Sequence, residues 1–289
     1  MALVAIEDRF PRPSVMGVVN VTPDSFSDGG IHLDAAAAIA AARRMITEGA
    51  AVVDVGGEST RPGSAGVSLD EELRRVLPVL DAVAGELPVS IDTAKAEVAR
   101  RALELGAVLV NDVTALRGDE RLVDVVAEAE AYVCLMHMLG EPRTMQQDPR
   151  YDDVVSDVKA FLEERLAAAV AAGIPEERVH LDPGIGFGKT LEHNLELLRR
   201  LEEIVAIGRP VVLGTSRKSF IGRITGRSVD ARVHGTVATC VLGYERGARV
   251  FRVHDVAAVS DGLKVAAATL ARGWPETTPI PTRTRTTTT

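Results

Sequence analysis

Several residue classes are scarce in this chain, and each scarcity argues against a class of protein. Aromatic residues make up only 3% of the 289 residues, and there are only two cysteines. Cys134 and Cys240 are too few for a disulfide framework and are not spaced as zinc ligands. Both lie in apolar segments, so we expect them in the buried core. Basic residues are not in excess either, and a net charge of −8 argues against a nucleic-acid partner.

Long apolar runs are also missing. No run reaches the length of a membrane span, and the first residues lack the basic, apolar and small-residue pattern of a signal peptide. We therefore expect no membrane partner and a cytoplasmic location. The chain does have 46% hydrophobic residues, which are mostly aliphatic. That composition is typical of parallel strands covered by helices.

A glycine-rich stretch, residues 179–190, looks at first like a nucleotide-binding loop. A Walker A loop has a glycine five residues before the glycine of Gly-Lys-Thr, where this chain has Pro183. The third glycine of a dinucleotide fingerprint would fall on Lys189. What remains is an apolar strand that ends at Asp182, a turn, and a helix with Thr190 as its N-cap. Asp182 is then either a site residue at a strand end or an N-capping aspartate.

Short apolar runs alternate with helical patterns along the chain. The predicted strands are Ser14–Val19, Ala51–Val55, Val89–Ile91, Val108–Val110, Tyr132–Met136, Val179–Leu181, Pro210–Leu213 and Val250–Val253. The first predicted helix runs from a cap at Asp34 to near Gly49, the second from a capping box at Ser68 to about Glu86, and the third from the third strand to Gly106. Three more are predicted over about 120–130, 152–172 and 191–206. The last begins at a cap, Asp255, and ends at about Ala271.

Eight such units predict an α/β chain folded as a closed (β/α)8 TIM barrel in a single domain, residues 1–273. The alternative is a doubly wound open sheet, which would need a glycine fingerprint or a topological switch point. Residues 274–289 are rich in threonine, proline and arginine. They cannot bury apolar surface, and we expect a disordered tail.

Polar residues lie at or just past the end of every predicted strand. They are Asn20, Asp54, Asp92, Asn111, His137, Asp182, Ser216 with Lys218, and Arg252 with His254. In a barrel these ends share one rim, where catalytic groups collect. Each residue alone could be a helix cap or a buried hydrogen-bonding group, but eight together favour a site. The acidic and amide groups suit a heterocycle with N–H donors, and the basic ones suit an anion.

Two long loops, residues 20–30 and 56–64, follow the first two strands and are rich in turn residues. They are either ordinary surface turns or mobile segments that cover the site. No Gly-x-Ser-x-Gly elbow and no zinc-ligand cluster is evident, so nucleophilic catalysis is not favoured.

The motifs at these strand ends resemble those of the dihydropteroate synthases, in order from the first strand to the eighth. The matching stretches are residues 16–30, 54–63, 90–93, 111–113, 135–137, 182–190, 216–219 and 252–255. The resemblance implies a transferase of folate biosynthesis that joins 6-hydroxymethyl-7,8-dihydropterin pyrophosphate to p-aminobenzoate. It also implies a Mg²⁺ cofactor, small-molecule substrates as partners, a homodimer and sulfonamide binding.

Carried over by the resemblance, the site residues fall into four groups. Asp92, Asn111, Asp182 and Lys218 would hold the pterin; Asn20, Arg252 and His254 the pyrophosphate, with Asn20 also near Mg²⁺; Asp28 and Arg61, with Thr60 and Pro62, would close over the site; Phe187 and Ser219 would line the p-aminobenzoate pocket. Asp28, Arg61, Arg252 and His254 are the expected catalytic residues. The competing hypotheses are a pterin-dependent methyltransferase and a paralogue that binds pterin without catalysis.

Overall fold

The computed structural model describes residues 4–21, 31–60, 63–64 and 66–271, with residues 31–34 described for their backbone alone. Within these residues eight parallel strands form one sheet in the order β6-β5-β4-β3-β2-β1-β8-β7. The strands are β1 (Ser14–Asn20), β2 (Val52–Gly56), β3 (Val89–Asp92), β4 (Leu109–Asp112), β5 (Tyr132–Met136), β6 (Val179–Asp182), β7 (Val212–Leu213) and β8 (Val250–Val253).

The sheet closes on itself between β6 and β7. A parallel bridge joins Leu181 to Val211, and the Leu181 backbone N–H donates to the Pro210 carbonyl over 3.0 Å. The chain is thus a (β/α)8 barrel, as the sequence predicts, and not an open doubly wound sheet. Strands β5 and β8 have the predicted bounds, and the other predicted strands overlap the observed ones.

The helices form the outer layer of the barrel. They are α1 (Ile6–Arg9), α2 (Ile31–Thr47), α3 (Leu69–Val83), α4 (Ala96–Glu104), α5 (Leu122–Glu128), α6 (Val154–Ala171), α7 (Leu191–Arg199), α8 (Leu201–Val205), α9 (Ser219–Thr225), α10 (Val233–Glu245) and α11 (Val256–Leu270). The Ser68 hydroxyl accepts from the Glu71 N–H at the start of α3, and the Thr190 hydroxyl accepts from the His193 N–H at the start of α7. Both residues are N-caps as predicted, but the capping box predicted at Ser68 does not form, because the Glu71 carboxylate binds Arg74 and Arg75 instead.

Three predictions about the helices are wrong. Helix α2 begins at Ile31, so Asp34 lies inside it and is not its cap. The single helix predicted over 191–206 is two, because Arg200 has non-helical angles (φ −110°, ψ 29°) between α7 and α8. Asp255 precedes α11 but makes no capping bond, since its carboxylate binds Arg217 over 2.6 and 2.9 Å.

The core has two layers because side chains of each strand alternate between the barrel interior and the helices. The interior cluster includes Met16, Leu109 and Cys134, while the outer cluster includes Val53 and Cys240. Both cysteines are free and buried, as predicted.

Helix α1 closes the amino-terminal end of the barrel. Ile6 and Phe10 are fully buried against the interior cluster. In the part of the chain that the structure describes, no helix combines the length and apolar character that crossing a membrane requires. The predicted tail, residues 274–289, lies outside the described residues, so its disorder stays a prediction.

Candidate active site

The carboxyl ends of the strands surround an open cavity of about 450 Å³. Seven of the thirteen site residues that the resemblance implies line it, together with five others, one of which is the strand-end residue Ser216. The lining is Val18, Thr60, Asn111, Val113, Met136, Asp182, Phe187, Gly214, Ser216, Lys218, Arg252 and His254.

A charge network centred on Arg252 lies along one side of the cavity. Its Nε donates to Asp54 Oδ2 and its Nη2 to Asp92 Oδ2, each over 2.6 Å. Asn111 Nδ2 donates to the same Asp54 oxygen over 2.9 Å. Burial lowers the pKa of Arg252, but the attraction of Asp54 and Asp92 outweighs it, and the pKa lies above its usual value. The guanidinium therefore stays charged while it holds three strand ends in register.

Asp92 has an unfavourable environment for its charged form in this network. Burial raises its pKa; Arg252 opposes the change, and Asp54 and Glu72 add to it. Two carboxylates thus share one guanidinium, so Arg252 compensates the charge of Asp92 only in part. Such a site favours a ligand that offers N–H donors to a carboxylate.

Asp182 and Lys218 lie on the opposite side. The Gly184 N–H donates to Asp182 Oδ1 over 2.7 Å. Helix α7 is capped by Thr190, so Asp182 is not its N-cap; it ends β6 and lines the cavity. Burial raises the pKa of Asp182, against the attraction of Lys218. Burial also lowers the pKa of Lys218 to about 8, which Asp182 opposes.

Lys218 further fixes the aromatic wall of the cavity. Its ammonium donates to the Ile185 carbonyl and lies 4.7 Å from the centre of the Phe187 ring. Phe187 also packs against an apolar cluster that contains Val113, Met136, Met138 and Met145. The cavity thus has a polar side and a flat apolar side, as a heterocycle or a benzene ring requires.

The glycines of residues 182–190 serve packing. Gly184 has φ +66°, and a Cβ there would overlap the carbonyl oxygen of His137. The loop therefore lies directly on the segment that follows β5. The buried Lys189 strengthens this contact, because its Nζ lies 2.8 Å from His137 Nδ1 and donates to the Phe187 carbonyl over 3.0 Å. Burial, and then the Lys189 charge, lower the pKa of His137 to about 2, so its ring is neutral.

His254 is oriented by Ser216. The Ser216 hydroxyl accepts from the His254 backbone N–H over 3.1 Å and lies 2.9 Å from His254 Nδ1. The hydroxyl can therefore donate to Nδ1, which puts the imidazole proton on Nε2. That proton is suited to an anionic ligand.

The other predicted site residues have different positions. Asn20 ends β1 beside Gly56, half-buried at the same rim but not in the cavity lining. Asp92 reaches the cavity through Arg252, and Ser219 is an exposed residue at the start of α9. Asp28, Arg61 and Pro62 lie outside the described residues.

Sequence reasoning gave no role to several residues that shape the site. The sequence pattern places Asp54 and Ser216 only at strand ends, whereas in the structure Asp54 bridges Asn111 to Arg252 and Ser216 orients His254. The buried Lys189 and the apolar Val113 and Met136 were not singled out. Their positions at the end of β5 and after β4 and β6 are a usable signal, but their contacts are not readable from spacing.

Comparison with known proteins identifies the class to which this barrel belongs. The family model described as pterin binding enzyme matches residues 16–254. The dihydropteroate synthase of Escherichia coli K12 is 46% identical over 262 residues, which is 90% of this chain and 93% of that protein.

Solved structures agree with this comparison. The Xanthomonas albilineans dihydropteroate synthase with 4-aminobenzoic acid is 50% identical, covers 90% of this chain and 94% of its own, and superimposes with a TM-score of 0.85. The same enzyme with 7,8-dihydropteroate is 48% identical over 90% of this chain and 95% of its own, with a TM-score of 0.82. A Yersinia pestis dihydropteroate synthase in a sulfonamide complex is 43% identical, covers 93% of this chain and 99% of its own, and has a TM-score of 0.86. The chain therefore belongs to the dihydropteroate synthase family of pterin binding enzymes.

Proposed function

We propose that the chain is a transferase of folate biosynthesis that condenses 6-hydroxymethyl-7,8-dihydropterin pyrophosphate with p-aminobenzoate to give 7,8-dihydropteroate and pyrophosphate. The observation that carries the proposal is that one cavity combines groups suited to a pterin with groups suited to an anion. It places Asn111, Asp182 and Lys218 together with Arg252 and His254 in one lining. The names and ligands of the relatives support the same reaction.

The pterin is bound at the buried end of the cavity. A carboxylate pairs with adjacent N–H donors in a planar ring, and this role suits Asp182 and Asp92. Asn111 can donate and accept, and the Lys218 ammonium can donate to a ring carbonyl or nitrogen. The apolar wall of Val113, Met136 and Phe187 contacts the faces of the rings.

The pyrophosphate is bound by Arg252 and His254. Since Nε and Nη2 of Arg252 already donate to carboxylates, Nη1 is the nitrogen best suited to an anion. One guanidinium thus links a pterin-binding carboxylate to the leaving group. The Nε2 proton of His254 adds a second donor.

Mg²⁺ is part of the proposal, with Asn20 as its protein ligand. Among the described residues no cluster of three or more His, Cys, Asp or Glu side chains could hold a metal ion. A single amide oxygen at the rim fits an ion that takes most of its ligands from phosphate and water, as Mg²⁺ commonly does. When bound, the ion neutralises charge on the leaving pyrophosphate.

In the reaction, the bond between the pterin methylene carbon and the pyrophosphate oxygen breaks, and its electron pair leaves with pyrophosphate. The electron-rich dihydropterin stabilises the cation that remains. The amine of p-aminobenzoate then attacks the methylene carbon and loses a proton. Arg252 and His254 stabilise the departing anion, and exclusion of water protects the cation. No strong general base is required.

In this proposal Phe187 and Ser219 bind p-aminobenzoate, and Thr60, Arg61 and Pro62 are assigned to closing over that end of the cavity. Asp28, from the loop after β1, acts with Arg61 on the bound intermediate. Thr60 and Phe187 are in the cavity lining, which supports this placement. Sulfonamides, which resemble p-aminobenzoate in shape, are expected to compete for the same subsite.

The test is an assay of pyrophosphate release by the purified protein with dihydropterin pyrophosphate, with and without p-aminobenzoate, and with Mg²⁺ or with chelator. We expect dihydropteroate only when p-aminobenzoate and Mg²⁺ are both present. Binding of dihydropterin pyrophosphate without product would instead identify a silent pterin-binding paralogue. No binding at all would contradict the proposed pterin site.

A homodimer and a cytoplasmic location belong to the same proposal. Leu242 on α10 and Val265 and Leu270 on α11 are each about half exposed or more, and these two helices pack together. Apolar side chains on neighbouring helices support a contact with a second copy. A sedimentation mass of twice 30.7 kDa is the expected result. The two free thiols are compatible with a reducing compartment.

A further inference from the structure

One ammonium group beside the cavity joins three separate elements. Lys95 follows β3, and its Nζ contacts Glu58, which follows β2, and Glu72 of α3. The Lys95 to Glu72 distance is 2.5 Å, and the Glu72 side chain is only 1% exposed. None of these three residues lines the cavity. The group therefore has no assigned part in the reaction.

Glu58 is held where the loop after β2 leaves the barrel. The preceding Gly57 lies so close to α3 that a Cβ would be 2.8 Å from a methyl group of Val76, and its carbonyl accepts from Arg75 Nη1 over 2.8 Å. The returning end of the loop passes the same carboxylate, since a Cβ on Gly66 would be 3.1 Å from Glu58 Oε1. Both ends of the loop thus meet at Glu58.

The same contacts lead directly to the cavity. Thr60, two residues after Glu58, is part of the cavity lining. On the other side, the Lys95 N–H donates to the Thr93 hydroxyl over 3.2 Å, and Asp92 precedes Thr93. Lys95 thus connects the segment that presents Asp92 with the loop that presents Thr60.

We propose that Lys95, Glu58 and Glu72 are positioning residues that fix the loop after β2 so that Thr60 lies at the p-aminobenzoate end of the cavity. This inference rests on the proposed function. None of the three touches substrate. The loss of Glu58 is expected to act on p-aminobenzoate more than on dihydropterin pyrophosphate, because the pterin contacts lie on the strand ends and not on this loop.

A variant that removes Lys95 alone is not a suitable test, because of the buried charge of Glu72. Glu72 is buried, and its Oε1 has no partner among the described residues, so removal of Lys95 alone would leave an unpaired buried carboxylate. Such a variant can fail to fold for that reason alone. Burial lowers the pKa of Lys95, but the bonds to Glu58 and Glu72 outweigh it and raise the pKa overall. The ammonium is therefore charged.

The first experiment compares Glu58→Ala with the wild-type enzyme in the dihydropteroate assay. We expect KM for p-aminobenzoate to rise about 10- to 100-fold, since a misplacement of about 1 Å can cost about 100-fold. KM for dihydropterin pyrophosphate should change much less, and Tm should stay near the wild-type value. Glu58→Gln, which keeps a hydrogen-bond acceptor, should recover part of the loss. The control is Glu86→Ala, which removes an exposed salt bridge between the segment after α3 and Arg43 of α2 and should have no effect.

The second experiment uses the double variant Lys95→Met/Glu72→Gln, which removes the ammonium without leaving a buried charge. It should fold and show the same rise in KM for p-aminobenzoate as Glu58→Ala. A wild-type KM in either variant, with normal turnover, would overturn the positioning role. An equal rise in both KM values would also overturn it, since that result indicates general damage to the barrel. A wild-type enzyme that makes no product would contradict the proposed function itself.

Discussion

At the scale of single residues, the site is defined by buried charges whose partners compensate them only in part. Asp182 is 5% exposed, and burial raises its pKa while Lys218 and the Gly184 N–H favour the ionised form. Arg252 is shared by Asp54 and Asp92. Such groups are costly in an empty site, and a ligand with complementary donors relieves that cost. Substitution of these residues should therefore lower kcat/KM more than it lowers the free energy of unfolding.

Asp182→Ala tests this expectation. If Asp182 pairs with pterin N–H groups, its removal leaves those donors unpaired and should cost about 2–4 kcal/mol, which corresponds to about 30- to 1000-fold in kcat/KM for dihydropterin pyrophosphate. Steady-state kinetics measure the effect. Asp148→Ala, which removes an exposed loop carboxylate paired with Arg150, is the matched control and should leave kcat/KM unchanged. An unchanged kcat/KM in Asp182→Ala would remove this carboxylate from the pterin site.

Residue identity alone could not reveal these pairings. The sequence places Arg252 at a strand end, but its two carboxylate partners come from β2 and β3, more than 150 positions earlier. The register of the closed sheet brings them together. The same closure gives Asp54 its role as the acceptor for both Asn111 and Arg252.

At the scale of elements, the sequence predicts those strands and helix caps that depend on neighbouring residues alone. Strands β5 and β8 and the caps at Ser68 and Thr190 follow from apolar runs and capping chemistry, and the structure confirms them. The break at Arg200 does not follow, because neither glycine nor proline marks it. In the structure the Arg200 guanidinium binds Asp153, the N-cap of α6, and Glu203 of α8, each over 2.7 Å.

Helix α10 shows the opposite case. It contains two glycines and several β-branched residues, which weaken the helical pattern, and no helix was predicted there. Gly243 lies so close to β7 that a Cβ would overlap the Leu213 side chain. Tight helix to strand packing therefore outweighs intrinsic propensity.

The loop between β6 and α7 gives a prediction at this scale. Gly184→Ala introduces a side chain at φ +66° and also a clash with the His137 carbonyl. Gly173→Ala is the control, since Gly173 has φ +98° but no neighbouring atom within 4 Å of the new Cβ. The control should lose about 1–3 kcal/mol of unfolding free energy from backbone strain. Gly184→Ala should lose about 1–3 kcal/mol more.

Urea unfolding measures the two variants, and the dihydropteroate assay separates them further. Gly184→Ala displaces the loop that carries Phe187, so its kcat/KM should fall at temperatures where the protein is still folded. Gly173→Ala should keep wild-type kinetics, because the turn after α6 is remote from the cavity. Equal losses of stability in the two variants would contradict the close packing of the loop on His137.

At the scale of the whole molecule, the barrel divides its polar groups between two ends. The carboxyl end holds the charge-paired cavity. The amino end is closed by α1 and contains the buried Arg178, whose guanidinium lies over the ring of Tyr132 in the interior cluster. His180 on β6 is fully buried there, its ring lies 5.5 Å from that of Phe10, and neither ring nitrogen has a hydrogen-bond partner among the described residues. This end has stability as its only evident role.

His180 should therefore make the fold sensitive to acid. Burial, then the charges of Arg209 and Arg249, lower its pKa from 6.5 to about 3. Because the folded state holds the neutral ring and the unfolded state binds a proton below 6.5, stability is complete above that pH and is lost as the pH falls toward 3. Between pH 7.5 and 5 this group should cost up to about 2 kcal/mol of unfolding free energy.

The comparison is between wild type, His180→Leu and His234→Leu, each unfolded by urea at several pH values. His180→Leu removes the titrating ring from the interior, so its unfolding free energy should fall less than that of the wild type between pH 7.5 and 5. His234 is exposed on α10, and its variant should parallel the wild type. Buried carboxylates such as Asp92 contribute equally to all three proteins, so they cancel in the difference. Parallel curves for all three would mean that water or relaxation hydrates His180, and that the amino end of the barrel is less tightly closed than the packing of α1 indicates.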